Sequence, residues 1–404
     1  MKILTITTLI FLISIRVNAQ TFDELIKDID NHSKIASLKN KKQSIFNEGR
    51  AKSRWEEPQL KFEAMNFPSE DPRFGLSAMS SVGITLSQKV PLTSKYSNIL
   101  KSYNYLVDSQ KYKLEILKRN IILEVWNHAI KKEKIIKSIK IYEENMGWIK
   151  DMIKVSGRLY STGKISQQAI LDLKIRKTQI DSSIKTNEIL LKKIDRSLSK
   201  LLDKPNQDIS LHLNSMPWNI LKSTVTEKEK KTPQELLLIS LTKAASYKRK
   251  ADKQNRLPEI NVGLNYKSRN NVDNHGDFIG GFLSVPIGVG ARSYQYESSS
   301  YNYSKAKNDL RDYQNELVSF KEELKLEILK LESELNILVS QTIKFAQTAR
   351  KISSKSYSVG SSDYLELLRS EFQLQNLLLQ KIEIESKIKE NKVLYIFESG
   401  LDIY

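Results

Sequence analysis

The residue types that most often carry catalysis or bind metals form no constellation in this sequence. The four histidines are scattered, and none lies one helical turn from another: His32, His128, His212 and His275. The chain has no cysteine, which excludes thiolate ligands, thiol nucleophiles and disulfides. The glycines at 280–281 and 288–290 lack the strand-then-helix context of a phosphate-binding loop, and they more readily ease the bending of a strand. We therefore expect no enzyme, no metal site and no cofactor.

The composition is strongly basic, with 65 Lys and Arg residues, 47 Asp and Glu residues and a formal net charge of +18. Such a charge suits nucleic acid or an anionic membrane surface. However, Lys2 precedes an apolar run at 3–15, and Ala19 ends a small-residue cleavage motif, so residues 1–19 are predicted to be a secretory signal peptide. A membrane anchor is the alternative, but the run is short for a span. Export argues against nucleic acid as a partner.

Two short stretches have the pattern of a tight turn between antiparallel helices. In each, a tyrosine lies three residues before a glycine, at Tyr160–Gly163 and at Tyr357–Gly360. A glycine ends a helix readily, and Ser or Asp just after it, such as Asp363, is a typical cap of the next helix. We predict αα-hairpins at 157–166 and 357–363. Their spacing of 197 residues indicates an internal repeat.

The elements that position these hairpins also occur twice in the same order. The first copy, residues 20–202, is predicted to contain strands at about 58–67 and 80–90, a long helix at about 93–156, the hairpin, and a return helix to 202. A connector at 203–231 follows. The second copy, residues 232–404, has the same elements: strands at about 258–267 and 277–286, a long helix at about 294–356, the hairpin, and a return helix to 399.

The second long helix carries apolar residues that mostly step by three and four, as expected for the seam of packed helices. The predicted stripe comprises Leu317, Phe320, Leu324, Ile328, Leu331, Leu335, Leu338, Phe345 and Ala349.

The four predicted strands alternate apolar and polar residues over about 9 to 11 positions, the length that crosses a bilayer at a tilt. A small soluble sheet that caps a helical bundle would show the same pattern. Four strands cannot close a barrel, and lipid does not tolerate open sheet edges, so a membrane form must pool strands from several chains. A proline lies at each strand–helix junction, where strand pairing ends: Pro58, Pro91, Pro258 and Pro286.

The duplicated order and the paired Tyr-Ser-x-Gly hairpins resemble the outer-membrane efflux protein (TolC) family over essentially the whole mature chain. The resemblance implies a mainly α fold with a transmembrane β part. Three copies would share a 12-stranded β-barrel in the outer membrane that continues into a periplasmic α-helical barrel. The loops 68–75 and 268–276 would face outside the cell. The chain would be a passive exit duct for small molecules or metal ions in a tripartite efflux system.

The resemblance also implies partners and sites. The hairpins would be tips where a periplasmic adaptor docks, through Tyr160, Gly163, Tyr357, Gly360 and Asp363. An inner-membrane pump, of the RND type in the favoured case or an ABC transporter, would supply the energy. Outer-membrane lipid would surround the strands.

A gate in the lumen is the third implication. Glu366 lies where the family can place a lumen carboxylate, and three copies would form an acidic ring that selects cations. Arg369 and Ala169 stand where relatives can have carboxylates, although Asp172 follows Ala169 by three residues. The candidate gate residues are Glu366, Arg369 and Asp172. An exposed helix carboxylate without a special role is the alternative for Glu366.

Two other functions are compatible with the sequence. The same duct could serve type I protein secretion, which neighbouring genes for a pump and adaptor would decide. A periplasmic structural coiled-coil protein with soluble hairpins belongs to a different class. Recovery of the protein as a soluble species without detergent would favour the structural coiled-coil protein.

Overall fold

The computed structural model describes residues 18–74, 76–207, 209–222, 230–269, 276–288 and 290–404. Residues 1–17 of the predicted signal peptide, residues 270–275 of the second predicted outer loop, which include His275, and residues 223–229 of the predicted connector lie outside these ranges. The described chain is mainly helical with a small sheet, as predicted. No helix in these ranges is both long and apolar enough to cross a membrane.

The α-helices are α1 Phe22–Ile29, α2 Ser33–Lys52, α3 Lys95–Ser161, α4 Gln167–Leu201, α5 Pro233–Gln254, α6 Ala291–Ile337, α7 Ile343–Ser358 and α8 Tyr364–Glu398. The strands are β1 Asn18–Gln20, β2 Gln59–Met65, β3 Ser81–Val90, β4 Ile209–Leu211, β5 Ile260–Arg269 and β6 Phe278–Ser284. Two short 3₁₀ helices follow β4, and a π-helical segment, Leu338–Thr342, connects α6 to α7.

The chain divides into two compact units. Unit 1 comprises Met1–Ala36, Ile116–Thr232 and Leu317–Tyr404, and unit 2 comprises Ser37–Glu115 and Pro233–Glu316. Unit 2 contains the four-stranded antiparallel sheet, whose order is β2-β3-β5-β6. The strands β2 and β6 are its edges. Among the described residues, neither edge strand has a second partner.

One face of this sheet is apolar and exposed. Strand register aligns Phe62, Ile84, Tyr266 and Ile279 in a row across all four strands, and the next row contains Leu60, Leu86 and Leu264. Phe62 is 72% exposed and Ile279 is 83% exposed. A soluble sheet packs its apolar face on a core, whereas here the small polar residues of β3, such as Thr85, are the buried ones.

Glycines leave room for side chains on the opposite face of the sheet. A Cβ atom on Gly263 would lie 2.3 Å from a ring carbon of Phe282, which is paired with it on β6. A Cβ atom on Gly280 would lie 2.5 Å from the amide oxygen of Asn265. These glycines are therefore required by neighbouring side chains, a reason that the sequence pattern does not reveal.

Unit 1 has an aromatic core beside its chain termini. The ring of Trp126 makes edge contacts with Phe22 at 5.8 Å and with Trp218 at 5.5 Å between centroids. Its indole N–H donates to the carbonyl of Ile403 at 2.8 Å, which fixes the last residues of the chain. The short strand β1 pairs in parallel with β4 next to this core and includes two residues of the predicted signal peptide, Asn18 and Ala19.

The π-helical segment rotates the apolar stripe of the second long helix. The buried positions are Leu324, Leu331 and Leu338 as predicted, but the stripe then continues through Ile343 and Ala346. The prediction that Phe320, Phe345 and Ala349 lie in the seam is wrong, because all three are exposed, Phe320 at 38% and Phe345 at 71%. The last two lie beyond the π-helical segment. A π-bulge holds one extra residue, which shifts every later residue around the helix axis.

The lengths of the two long helical runs differ by one residue. From Lys95, where α3 begins, to Gly163 there are 68 residue steps, and from Ala291, where α6 begins, to Gly360 there are 69. The helix α3 is α-helical throughout, whereas the second run contains the π-helical segment Leu338–Thr342.

Candidate functional site at the paired hairpins

Both predicted hairpins turn through the same backbone motif. Gly163 and Gly360 have φ angles of +71° and +79°, the left-handed conformation that glycine adopts without a steric penalty. After the first glycine, the N–H of Lys164 donates to the carbonyl of Leu159 at 2.9 Å. After the second, the N–H of Ser361 donates to the carbonyl of Ser356 at 3.0 Å. These bonds across five residues are Schellman caps, so the two turns are equivalent.

The two tyrosines of the turns occupy different environments. Tyr160 is 48% exposed, whereas Tyr357 is completely buried. The phenolic oxygen of Tyr357 lies within hydrogen-bond distance, 2.7 Å, of the Ser156 hydroxyl on α3. Tyr357 therefore joins the two hairpins from inside, and in this conformation only Tyr160 offers its ring to another molecule.

An apolar cluster from four helices surrounds this hydrogen bond. Its buried members are Ile149, Met152 and Leu159 on α3, Leu173 and Ile180 on α4, Tyr357 on α7, and Leu367 on α8. Burial of large apolar side chains stabilises such a cluster by about 1.5–3 kcal/mol each. The position of each turn is consequently fixed by packing between the hairpins.

Asp363 caps the return helix α8. One carboxylate oxygen accepts a hydrogen bond from the Leu365 N–H at 3.3 Å, and the extended backbone at Asp363 is typical of an N-cap. The corresponding cap of α4, Ser166, makes no such side-chain bond. The structure thus gives Asp363 a structural task in addition to its predicted place at the tip.

The candidate gate residues do not form one cluster. Glu366 and Arg369 are exposed on α8, and no ion pair joins them in the described chain. Asp172 on α4 accepts a hydrogen bond from Gln168 at 2.9 Å. It also binds the Tyr364 phenol, and this hydrogen bond raises the pKa of Tyr364. Asp172 therefore connects the two return helices near their first turns.

The structure contains a buried ionic cluster behind the tip that the sequence did not predict. Glu371 on α8 is 1% exposed, and its Oε2 lies 3.3 Å from the Arg350 guanidinium on α7. Its Oε1 is buried and has no hydrogen-bond partner among the described residues. Burial raises the pKa of Glu371, and the nearby Arg350 and Arg176 only partly offset that effect.

The cluster continues from Glu371 into the first hairpin. Arg176 on α4 donates to the Gln375 side chain at 2.7 Å, and Asn145 on α3 donates to the same amide oxygen. Burial lowers the pKa of Arg176, whose guanidinium also lies 5.0 Å from the Phe372 ring centroid. One polar network therefore links all four helices of the paired hairpins.

A sequence signal for part of this network exists. Glu371 lies between Leu367 and Leu374, four and three residues away, so it falls on the buried stripe of α8. Arg350 could not be found in the same way. The predicted stripe placed Ala349 in the seam, and only the π-helical shift brings Arg350 to the inner face of α7.

Apolar residues also line outer faces of both hairpins. On α7, Phe345 and Ile352 are 71% and 61% exposed and Val359 just after the helix is 64% exposed, at intervals of seven residues that keep them on one side. On α4, Leu171 and Ile175 are 45% and 54% exposed. Stripes of this spacing are typical of helices that pack against another helix.

The arrangement offers binding surfaces and a buried polar network. Within the described ranges, no group of three or more His, Asp and Glu residues could hold a metal ion. The features of the site from which a function can be argued are therefore the exposed turns, the outer apolar stripes and the buried ionic cluster.

Comparison with solved structures identifies the fold. The chain matches a channel-forming protein, CusC, with a TM-score of 0.77 and 13% identity over 96% of this chain and 93% of that chain. It matches the outer membrane protein VceC of Vibrio cholerae with a TM-score of 0.74 and 12% identity, over 95% and 97% of the two chains. The open state of the Neisseria gonorrhoeae outer membrane channel MtrE matches with a TM-score of 0.67 and 11% identity, over 94% and 89%.

No family model matches the sequence, and no curated protein matches it. The matched structures are outer-membrane efflux channels of the TolC family. They confirm the fold that the resemblance predicted for this chain.

Proposed function

We propose that this chain, which folds as the outer-membrane efflux channels of the TolC family do, is the outer-membrane exit duct of a tripartite efflux system. It passes small molecules or metal ions that an inner-membrane pump and a periplasmic adaptor deliver. The duct performs no chemistry. Its specificity lies in the pump, because a lumen excludes only by diameter and charge.

The observation that carries this proposal is the exposed apolar face of the sheet in unit 2. Rows such as Phe62, Ile84, Tyr266 and Ile279 leave a contiguous apolar surface without any packing partner in the described chain. Water disfavours such a surface, whereas the hydrocarbon of a bilayer does not. Lipid of the outer membrane is therefore the expected contact of these strands.

The edges of the same sheet support assembly of several copies, for which we propose a trimer. In lipid, the unpaired backbone groups of β2 and β6 would each cost several kcal/mol. Pairing β6 of one copy with β2 of the next removes these edges, and three copies then form a closed 12-stranded barrel. The exposed stripes on α4 and α7 supply matching helix contacts, and an interface between two different surfaces closes into a ring.

The hairpin tips are the proposed docking site of the adaptor. Tyr160 and Val359 are 48% and 64% exposed on turns that Gly163 and Gly360 hold in one conformation. An aromatic and an aliphatic side chain on rigid turns are typical anchors of a protein interface. Binding that favours an open arrangement of the tips would shift the channel from closed to open.

Outer-membrane insertion can be tested with a pair of matched variants. Phe62→Lys puts a charge on the apolar face, at an expected cost of about 2–4 kcal/mol near the bilayer centre. Gln59→Lys puts the same charge on the opposite face of the same strand. We expect the wild type and Gln59→Lys to be recovered as trimers when the outer-membrane fraction is extracted with detergent. The amount of Phe62→Lys in that fraction should be strongly reduced. Wild-type protein recovered as a soluble monomer would overturn the proposal.

The partners can be identified from the same preparation. An affinity-tagged chain should co-purify with an adaptor and a pump from crosslinked membranes, and the pump class, RND or ABC, is read directly from the captured protein. Tyr160→Asp should lose the adaptor, whereas Lys177→Asp, an exposed change on α4, should retain it. Equal capture by both variants would contradict docking at the turns.

A further inference from the structure

A concavity of about 850 Å³ lies beside the apolar face of the sheet, near the end of β3. Along β3, the outward column Val82, Ile84 and Leu86 gives way to Gln88, which lines the concavity. The Gln88 side chain donates to the carbonyl of Glu56 at 2.7 Å and so closes one wall. The concavity thus opens on the same side of unit 2 as the apolar surface, and the row of Gln88 also contains the exposed apolar residues Val262 and Leu283.

Two arginines line this concavity without an ionic partner. In the part of the chain that the structure describes, neither Arg50 nor Arg54 forms an ion pair. The other charges are mostly matched, because Lys52 binds Glu48 at 2.7 Å.

The two acidic residues of the wall also differ in whether they have an ionic partner. Glu56 is paired with Lys89 at 2.6 Å. Glu57, which also lines the concavity, is exposed and has no ionic partner among the described residues. The unmatched charges are therefore two guanidinium groups and one carboxylate, in a space large enough for a lipid headgroup.

Trp55 adds an apolar element to the same wall. It lines the concavity and is 54% exposed, in the short segment between α2 and β2. Tryptophan is enriched at the level of lipid headgroups, because its ring is apolar and its N–H is polar. Arg50 also lies 5.7 Å from the Phe46 ring centroid, but neither it nor Arg54 has an ionic partner in the described ranges. A tryptophan beside such arginines, next to an apolar surface, is the arrangement expected at a membrane interface.

We propose that this concavity binds the headgroup of phosphatidylethanolamine in the membrane leaflet beside the helices. Arg50 and Arg54 hold the phosphate, Glu57 faces the ammonium group, and the acyl chains lie past Trp55 along the apolar strands. This inference rests on the proposed function, since it requires those strands to lie in lipid.

The charges distinguish this occupant from other phosphate sources. Phosphatidylglycerol offers the same phosphate but leaves Glu57 without a cation. The trimethylammonium of phosphatidylcholine cannot donate a hydrogen bond to Glu57. Free inorganic phosphate makes no use of Trp55 or of the adjoining apolar face. Of these candidates, phosphatidylethanolamine alone offers both a phosphate for the two arginines and an ammonium group that can donate a hydrogen bond to Glu57.

Native mass spectrometry of the detergent-extracted protein can test the site. The wild type would be mixed with equal amounts of phosphatidylethanolamine, phosphatidylglycerol and phosphatidylcholine, with and without inorganic phosphate. We expect phosphatidylethanolamine adducts to dominate and phosphate to displace few of them. The double variant Arg50→Gln/Arg54→Gln should bind roughly 30-fold more weakly. The control Arg158→Gln/Arg311→Gln, which removes two exposed arginines elsewhere, should bind as the wild type does.

Glu57→Gln separates the headgroup assignment from general phosphate binding. This variant should bind phosphatidylethanolamine and phosphatidylglycerol equally while keeping its affinity for phosphate esters. Three outcomes overturn the inference. The wild type could bind all three lipids equally, or inorganic phosphate could displace the bound phosphatidylethanolamine. Loss of trimers in the Arg50→Gln/Arg54→Gln variant would assign the concavity to a contact between copies. Each leaves outer-membrane location intact, whereas recovery of the wild type without detergent would reject the duct itself.

Discussion

The phenolic oxygen of Tyr357 and the hydroxyl of Ser156 lie 2.7 Å apart in the buried core of the paired hairpins. This hydrogen bond joins α7 to α3, the helices that lead into the second and the first glycine turn. The related tyrosine, Tyr160, takes no corresponding position and is 48% exposed. The two turns are therefore similar in backbone, but only Tyr357 links the hairpins internally.

Removal of this link should destabilise the hairpins. Tyr357→Phe leaves the buried Ser156 hydroxyl without its partner, at an expected cost of about 1–3 kcal/mol. Ser156→Ala in the same chain should recover part of that loss, because both polar groups are then gone. Thermal unfolding of the wild type, the two single variants and the double variant in detergent, followed by circular dichroism, gives the coupling energy between the two hydroxyls. Tyr160→Phe is the control and should change stability by less than about 0.5 kcal/mol. Strictly additive effects would show that the two hydroxyls do not interact.

The glycines of the turns are predicted to be essential for their shape. A β-branched residue in the left-handed conformation is strained by roughly 1–3 kcal/mol, so Gly163→Val and Gly360→Val should displace the tips. We expect reduced export with trimers still present in the membrane, measured as sensitivity to the exported compound together with trimer abundance. Gly157→Val is the matched control, because Gly157 is helical and a Cβ atom there meets nothing within 4 Å. Normal export in both turn variants would remove the turns from the mechanism.

Glu371 should make the stability of the hairpins depend on pH. Its pKa is raised above the ordinary 4.5 because burial outweighs the attraction of Arg350 and Arg176. Between the ordinary and the raised pKa, the folded state binds more protons than the unfolded state, so stability falls as the pH rises through that interval. Melting temperatures measured from pH 4 upward should show this slope in the wild type. Glu371→Gln should flatten it, whereas Glu366→Gln, an exposed change, should leave it in place. A slope that persists in Glu371→Gln would assign the dependence to another group.

Glu366 is predicted to select cations if three copies surround a common axis. The exposed carboxylate lies in the first turn of α8, three residues after the N-cap Asp363. Glu366→Gln should reduce the preference for cations and the block by polyvalent cations in planar bilayers, because it removes one negative charge from each copy. Glu322→Gln, which removes an exposed carboxylate from α6, is the control. Unchanged ion selectivity in Glu366→Gln would leave it an ordinary surface residue.

The parts of the fold that follow from local pattern were accessible from the sequence. Alternation identified β2 and β3, and the glycine turns located both hairpins, because these signals lie within about ten residues. The side chains behind the tip were less accessible. Nothing in the spacing shows that Tyr357 is buried and Tyr160 exposed, since that difference arises from packing between helices distant in sequence. Arg350 was missed for another reason. The predicted stripe passed through Ala349, and the extra residue of the π-helical segment brings the next residue, Arg350, to the inner face of α7 instead.

That extra residue yields the sharpest test of the repeat. Deletion of Ser340, an exposed residue of the π-helical segment, should convert Leu338–Thr342 into ordinary α-helix and leave the register of α7 unchanged. Deletion of Glu143 is the matched control, because it is exposed and lies 197 residues earlier in α3, where no bulge can absorb the change. It would rotate Ile149 and Ser156 by about 100° out of the core. We expect near-wild-type melting for the Ser340 deletion and failure to form stable trimers for the Glu143 deletion. Equal damage by both deletions would mean that the π-helical residue is itself required by the packing around Leu338 and Ile343.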